Sequence, residues 1–470
     1  MNRVYKIIGL FLLVCIITGM IPQMVFAEGT GAVPIDETHF PDANFREYIT
    51  SEFDKDKNGV LDSQETAPRI DTVDGVQMPG QLIIVDNKGI SDLKGIEYFP
   101  SLTELNCSGN NLKGLDLTKN IALKSLDCSD NNLSELDLAN NTALTRIYCN
   151  NNHISKINLT KNLELVSLLC GNNELEQLDI SKNTALCYFD CSNNKLSELD
   201  VKCNTKLKGL SCGNNQISKL DTEQNSELES LNCCNNRLSQ LELSGNPKLQ
   251  FLNCNGNQIS GLNISENKSL EGVECSNNKL SEIISKMNNK MRTLNCNGNK
   301  LKKLDSELFP NLKHLECANN AIKKLKLSSN KKIIILKCDG NKFKSIKIPE
   351  SVRAIVHSKK NFKYTGGKKA YDLYLPQKNL SEVKCAPYYY ELCINKGCDY
   401  KFRITAPVSH KKVKWSAYPT MTGKKDKSIV TVNKKGNINI KKVNSDSNVS
   451  VDWNTSKGKE YGIRFKITVR

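Results

Sequence analysis

Two sets of side chains in this sequence have the type and spacing for chemistry. The first is rich in oxygen: Asp54, Asp56, Asn58, Asp62 and Glu65 occupy positions 1, 3, 5, 9 and 12 of the segment DKDKNGVLDSQE, with Gly59 at position 6 and Val60 at position 7. Hard cations collect several oxygen ligands. Side-chain oxygens of the first three, the Val60 carbonyl, Asp62 directly or through water, and both oxygens of Glu65 can surround one calcium, while Gly59 permits the sharp turn. The second set is sulfur: cysteine recurs every 21 residues from Cys107 to Cys338 without a slip. Thiols can ligate metals, close disulfides or pack as small apolar groups. Metal-binding thiols gather in close pairs such as CxxC, so one thiol per period at a fixed phase favours packing.

The elements that carry these groups follow from the same period. Three residues after each cysteine stands an asparagine, from Asn110 to Asn341, and leucines keep the phase, as Leu102, Leu105, Leu112, Leu115 and Leu117 do in LTELNCSGNNLKGLDLTKNIA. A strict repeat of this length is a stack of identical units, each covering its neighbour's apolar face. Leu105 and Cys107 are two apart, which places both on the inner face of a strand, while Glu104, Asn106 and Ser108 face the other way. The asparagine amide has donors and an acceptor to satisfy buried backbone groups of adjoining turns. With strands ~4.8 Å apart, the cysteine rungs predict a sheet about 55 Å long. Ile83, Val85, Ile90 and Leu93 fit one earlier repeat, 22 residues before the next.

This unit resembles the bacterial leucine-rich repeat, LxxLxLxxNxLxxL, with cysteine in place of its third leucine. Resemblance to internalin-like proteins implies an exported adhesin or interaction protein that recognises a protein ligand through a concave face. In-register parallel side chains suit a disulfide dihedral poorly, so the ladder is expected to hold free thiols, which in an exported chain points to a reducing or oxygen-poor habitat. Cys234, next to Cys233, is expected to point outward as the reactive thiol, and Cys187 and Cys203 fall between core positions.

Both ends differ in texture from the middle. Arg3 and Lys6 precede an apolar run from Ile7 to Ile17 and a Val25-Phe26-Ala27 cleavage pattern, which reads as a signal peptide over residues 1–27. Val14 stands before Cys15 where a lipobox has a small residue, and no other segment approaches the ~20 apolar residues of a membrane span. The expected localisation is therefore secreted or extracellular, associated with the cell surface. Residues 32–78 hold the oxygen-rich loop, and Phe45, Tyr48, Ile49 and Phe53 at helical spacing supply an entering helix. Together they resemble an EF-hand with Thr66 in place of the usual apolar residue and no partner hand, capping a solenoid over 79–356. After a linker at 357–380, alternating strands at 400–404, 413–415, 429–432, 438–440, 449–453 and 463–469 predict a β-sandwich over 381–470. Trp415-Ser416, Val430-Thr431-Val432-Asn433 before Gly436, and Ile467-Thr468-Val469 resemble the bacterial group 2 immunoglobulin-like domain. Cys393 and Cys398 are spaced for a small disulfide loop. The expected fold class is mainly β: a leucine-rich repeat solenoid with its parallel sheet on the concave face, a helical EF-hand-like N-terminal cap and an immunoglobulin-like C-terminal sandwich.

Charge is divided along the chain. The net charge of +16 comprises +18 over residues 351–470, +7 over 301–350 and −9 over 1–300. A basic rear suits an anionic cell-wall polymer or acidic glycan, and the alternative function is a cell-envelope component that grips such a polymer through its C-terminal domain. Export and the lack of nucleic-acid motifs argue against nucleic acid. The histidines are scattered, with no HExxH, GxSxG or phosphate loop, so no catalysis is expected. The outward strand positions are mostly small and polar; Tyr148, Leu169 and Tyr188 on successive rungs, flanked by Arg146 and Asp190, form the expected contact patch for a protein ligand.

Overall fold

The computed structural model describes residues 32–67, 70–73 and 76–352, together with the backbone strands between 354 and 469. Period-two patterning within the 21-residue unit produces one parallel sheet. Its strands run from Gln81–Ile84 through Leu102–Asn106, Ser125–Asp127, Arg146–Tyr148 and onward, one per rung, to Ile335–Lys337 and Ala354–His357. Each pairs in register with the next, so that Leu105, Leu126, Ile147, Leu168 and Phe189 form a single row. The first step carries a bulge between Gln81 and Leu82, which absorbs the additional residue of the 22-residue spacing. On the opposite wall of the coil short parallel pairs recur, such as Glu135–Leu136 with Lys156–Ile157 and Gly261–Asn263 with Glu282–Ile284. The architecture is the mainly β solenoid that the period predicts.

The ladder thiols are interior. All twelve from Cys107 to Cys338 are buried and unbridged, at 1% exposure or less. Burial pushes each thiol up, those of Cys149, Cys212, Cys254 and Cys296 to about 12, so they remain neutral and pack as small hydrophobes. Ile83, Val85, Ile90 and Leu93 are buried as well and complete the first coil.

Two asparagine columns lock the coils. In the column after the cysteines, Asn131 donates to the Cys107 and Cys128 carbonyls at 3.0 and 3.2 Å and accepts from the Leu112 amide at 3.0 Å, and the pattern repeats rung by rung. A second column, Asn120 to Asn330, donates at the other end of the coil, as Asn141 does to the Leu117 and Asn120 carbonyls, both at 2.9 Å. The residue before each first-column asparagine is left-handed at every rung, with φ between 51° and 69°, and it is always Gly, Asn or Asp. Only these types adopt that conformation at small cost.

The N-terminal end of the core is closed by helix α1, Ala43–Glu52. Asp42 caps it by accepting from the Asn44 and Phe45 amides, both at 3.0 Å. Its other carboxylate oxygen accepts from the amide and hydroxyl of Ser91, each at 2.8 Å, and so pins the helix to the first coil. Phe45 and Ile49 face inward, and Phe53 meets Phe99 edge-on with ring centroids 4.8 Å apart. Gly95, at φ +105°, lies against the Phe40 ring where a Cβ would collide, so this turn requires glycine.

Beyond Cys338, the last ladder cysteine, parallel pairing extends to Lys363–Gly366 and Tyr371–Tyr374, within the stretch read as a linker. Antiparallel strands follow. Tyr400–Thr405, Asn437–Ile440 and Val430–Val432 form one set, and Leu380–Cys385, Tyr390–Ile394, Glu460–Val469, Ser447–Thr455 and Val413–Pro419 another, in which Tyr390–Ile394 and Glu460–Val469 run parallel. The signal segment and Cys398 lie outside the described residues, so the Cys393–Cys398 loop cannot be placed. Among the described residues no helix is long and apolar enough to cross a membrane.

Candidate functional site

The outward face of the main sheet is built from three columns per rung, at four, three and one residues before each cysteine. In-register pairing makes each column continuous, so its side chains are spaced by the strand separation of ~4.8 Å. Tyr148 and Leu169 are direct partners in one column, and Asp190 follows them. Arg146, Ser167 and Tyr188 succeed one another in the column two residues earlier. The five predicted contact residues therefore fall on three adjoining rungs, and each is half-buried.

Polar bonds hold this region in shape. Arg146 reaches back two rungs to Glu104 at 3.0 Å and donates to Ser125 Oγ at 3.2 Å. Asp190 accepts from the Ser192 amide at 2.8 Å, which turns its carboxylate toward the following loop. The Tyr188 ring leans over Gly209, with its Cδ1 3.2 Å from where a Cβ would stand. Val166, at 38% exposure, adds an apolar neighbour in the third column, one rung before Cys187. The surface thus offers aromatic and aliphatic area on a stiff sheet, bordered by one cation and one anion.

Phe251 was not singled out by its residue type, yet it is 49% exposed and leans over Gly272 as Tyr188 leans over Gly209. The signal was present in the sequence: in both cases a glycine follows the aromatic by 21 residues. Farther along, Glu274 is pushed up to about 7 by burial and by the nearby Glu316 carboxylate, against hydrogen bonds from Asn295 at 2.8 Å and Asn255 at 3.5 Å.

The oxygen-rich loop leaves α1 directly. Asp54, Asp56 and Glu65 each bring a carboxylate oxygen within 4.8 Å of the others, with Asp54 and Glu65 buried. The loop is ordered by its own acceptors. Asp54 accepts from the Asn58 and Gly59 amides at 3.0 and 3.1 Å, Asn58 from the Val60 amide at 2.9 Å, and Glu65 from the Lys55 and Asp62 amides at 2.7 and 3.2 Å. Gly59 has φ +79°, as the turn requires. Asp62 turns its Oδ1 to the Gln64 and Glu65 amides, at 2.7 and 2.9 Å. These hard, anionic donors fit calcium. The chain leaves the loop through a turn and then the strand Ile70–Val73. The stretch after Glu65 thus differs from the exiting helix of an EF-hand.

No protein-family model matches this chain, and no curated protein matches it. Solved structures do. The functional domain of InlJ from Listeria monocytogenes, described as including a cysteine ladder, aligns over 94% of this chain and 99% of its own at 21% identity and a TM-score of 0.51. InlF, an internalin from the same organism, covers 72% of this chain and 94% of its own at 21% identity and a TM-score of 0.55. YopM from Yersinia enterocolitica covers 63% and 64% at 23% identity and a TM-score of 0.52. Likeness at these identities is one of fold, and the fold of this chain is the leucine-rich repeat solenoid.

Proposed function

We propose that this chain is an exported bacterial binding protein that recognises a protein ligand through the concave face of its solenoid, with Tyr148, Leu169 and Tyr188 as the apolar centre and Arg146 and Asp190 at its margin. The observation that carries the reading is the in-register grouping of these five on three rungs of a sheet whose outward columns are otherwise mostly small and polar, Phe251 and Ile334 being exposed exceptions. Half-buried aromatics on a rigid surface lose little entropy on contact, which makes them suitable anchors. The internalin-like solenoids aligned above support a binding role rather than a catalytic one.

In this reading the signal segment exports the chain, and the Asp54–Glu65 loop holds a structural calcium that stiffens the cap. The C-terminal strands belong to an immunoglobulin-like domain. The test is capture followed by affinity: proteins retained by the immobilised full chain are identified and their binding to the Tyr148→Ala, Tyr188→Ala double variant is measured. A loss of at least tenfold is expected. Unchanged affinity would remove the concave patch from the function.

The second reading rests on charge. The basic tail, net +18 over residues 351–470, supports a cell-envelope component that grips anionic wall polymer. It requires wall binding by the full chain to weaken steeply with salt and to vanish when residues 381–470 are removed.

A further inference from the structure

Several cations on the early and middle rungs of the solenoid are matched by acids on neighbouring rungs. Lys195 meets Glu174 at 2.9 Å, Lys248 meets Glu227 at 2.6 Å, Lys286 meets Glu266 at 2.6 Å and Arg292 meets Glu271 at 3.4 Å. On the last three cysteine rungs one such pair remains, Lys337 with Glu316 at 3.8 Å on the main sheet, and the opposite wall has none among the described residues. Lys302, Lys323 and Lys344 each stand six residues after their cysteine, in a column that carries serine on seven earlier rungs between Ser134 and Ser281. Lys303 and Lys324 form the adjoining column, and Lys326 and Lys347 extend the patch two residues further along the same wall. All seven are exposed, and none takes part in an ion pair among the described residues. The acids nearest in sequence are Glu350, three residues after Lys347, and Asp305 and Glu307; Asp305 precedes Lys326 in its column and caps the short helix Ser306–Leu308.

Like charges are therefore stacked rung upon rung at the ~4.8 Å strand spacing, well inside the Debye length of about 8 Å at physiological salt. Each lysine raises the free energy of its neighbours, and a run of negative charge laid along the column removes that repulsion. The column repeats once per rung, which suits a linear ligand whose charges recur along its backbone. Residues 301–350 hold 12 lysines and no arginine, and the three columns carry no aromatic on these rungs. Flexible ammonium groups of this kind bind phosphate as point charges without demanding the planar, bidentate geometry that guanidinium reads. Without aromatic platforms there is nothing to stack bases or sugar rings.

From this geometry we propose that the wall of the last three cysteine rungs opposite the main sheet binds a linear polymer with phosphodiester groups in its backbone, through Lys302, Lys323 and Lys344 and the lysines beside them. The site is distinct from the concave face and from the basic tail, so a ligand protein and a wall polymer can be held at once.

The probe is synthetic polyglycerol phosphate, titrated into the full chain at low salt and again near 0.15 M salt. The triple variant Lys302→Ser, Lys323→Ser, Lys344→Ser restores the residue of the earlier rungs, and its thermal unfolding should match that of the parent. It is expected to lose tenfold or more in affinity, while the charge-matched control Lys119→Ser, Lys161→Ser, Lys182→Ser changes less than twofold. Equal losses in the two variants, or none in either, would assign binding to bulk charge or to the tail and overturn the proposal. Binding of the parent to vesicles of anionic phospholipid but not to the polymer would also overturn it. The Tyr148→Ala, Tyr188→Ala variant should bind the polymer as the parent does, which separates this site from the concave one.

Discussion

Asn152 donates its side-chain amide to the carbonyl of Cys128 on the preceding rung at 3.0 Å, while its Oδ1 accepts from the Leu133 amide at 3.0 Å. One side chain thus satisfies buried backbone groups of two coils, and a donation to its own rung's Cys149 carbonyl at 3.2 Å completes the bridge. The cysteine contributes volume and the asparagine contributes bonds. Asn152→Ala leaves a buried amide and two carbonyls without these partners, at about 1–3 kcal/mol per group, and should destabilise the solenoid by at least about 3 kcal/mol. Cys128→Ala keeps the backbone bonds and loses only packing, about 1 kcal/mol. Urea unfolding of the two variants should rank them in that order.

The left-handed column makes a separate prediction. Asn193 has φ 54° and no side-chain hydrogen bond among the described contacts. Asn193→Ala places a Cβ in a conformation that costs roughly 1–2 kcal/mol. Asn193→Gly should stay within about half a kcal/mol of the parent, because glycine accepts positive φ without strain. Equal stability of the two variants in urea would contradict the backbone assignment.

Alkaline pH should destabilise this protein more than most. The ladder thiols are raised by burial, to about 12 at Cys149, Cys212, Cys254 and Cys296, whereas thiols of the unfolded chain ionise near ~8.5. Between those values the native state keeps protons that the unfolded state has released. Stability therefore falls as pH rises from about 9 toward 12, by up to ~1.4 kcal/mol per pH unit for each such thiol. Denaturation of the reduced protein at several pH values should show this decline, and Cys149→Ala should make it shallower.

Calcium should stabilise the cap and, through Asp42 and Phe53, the first coil. Added calcium is expected to raise the unfolding midpoint in proportion to the logarithm of its concentration once the site is saturated. Glu65→Gln, which removes the charge of the last ligand, should abolish the shift. A midpoint that is indifferent to millimolar calcium in the parent would leave the loop as an acidic cap held by its own hydrogen bonds.

The solenoid was legible because its determinants are local and repeated. Leu105, Cys107 and Asn110 carry their roles in type and spacing, and each repetition removes ambiguity. The left-handed column was equally available as the Gly, Asn or Asp before each ladder asparagine, although its reason lies in the backbone. Cross-rung details were harder to read. That Tyr188 leans over Gly209, and that Arg146 turns back to Glu104, depends on side-chain direction between rungs, which a period cannot specify. The turn after Glu65 is a further case, since the twelve-residue pattern fixes the ligands but says nothing of the segment that leaves them.

The most direct test of the account is alkylation of the native, reduced protein with iodoacetamide at pH 8, mapped by mass spectrometry. The account predicts no label on the twelve thiols from Cys107 to Cys338, label on Cys203, Cys187 and Cys234, and full labelling after denaturation. Label on several ladder cysteines in the native protein, or ladder cysteines that stay unreactive after denaturation until a reductant opens them, would contradict it.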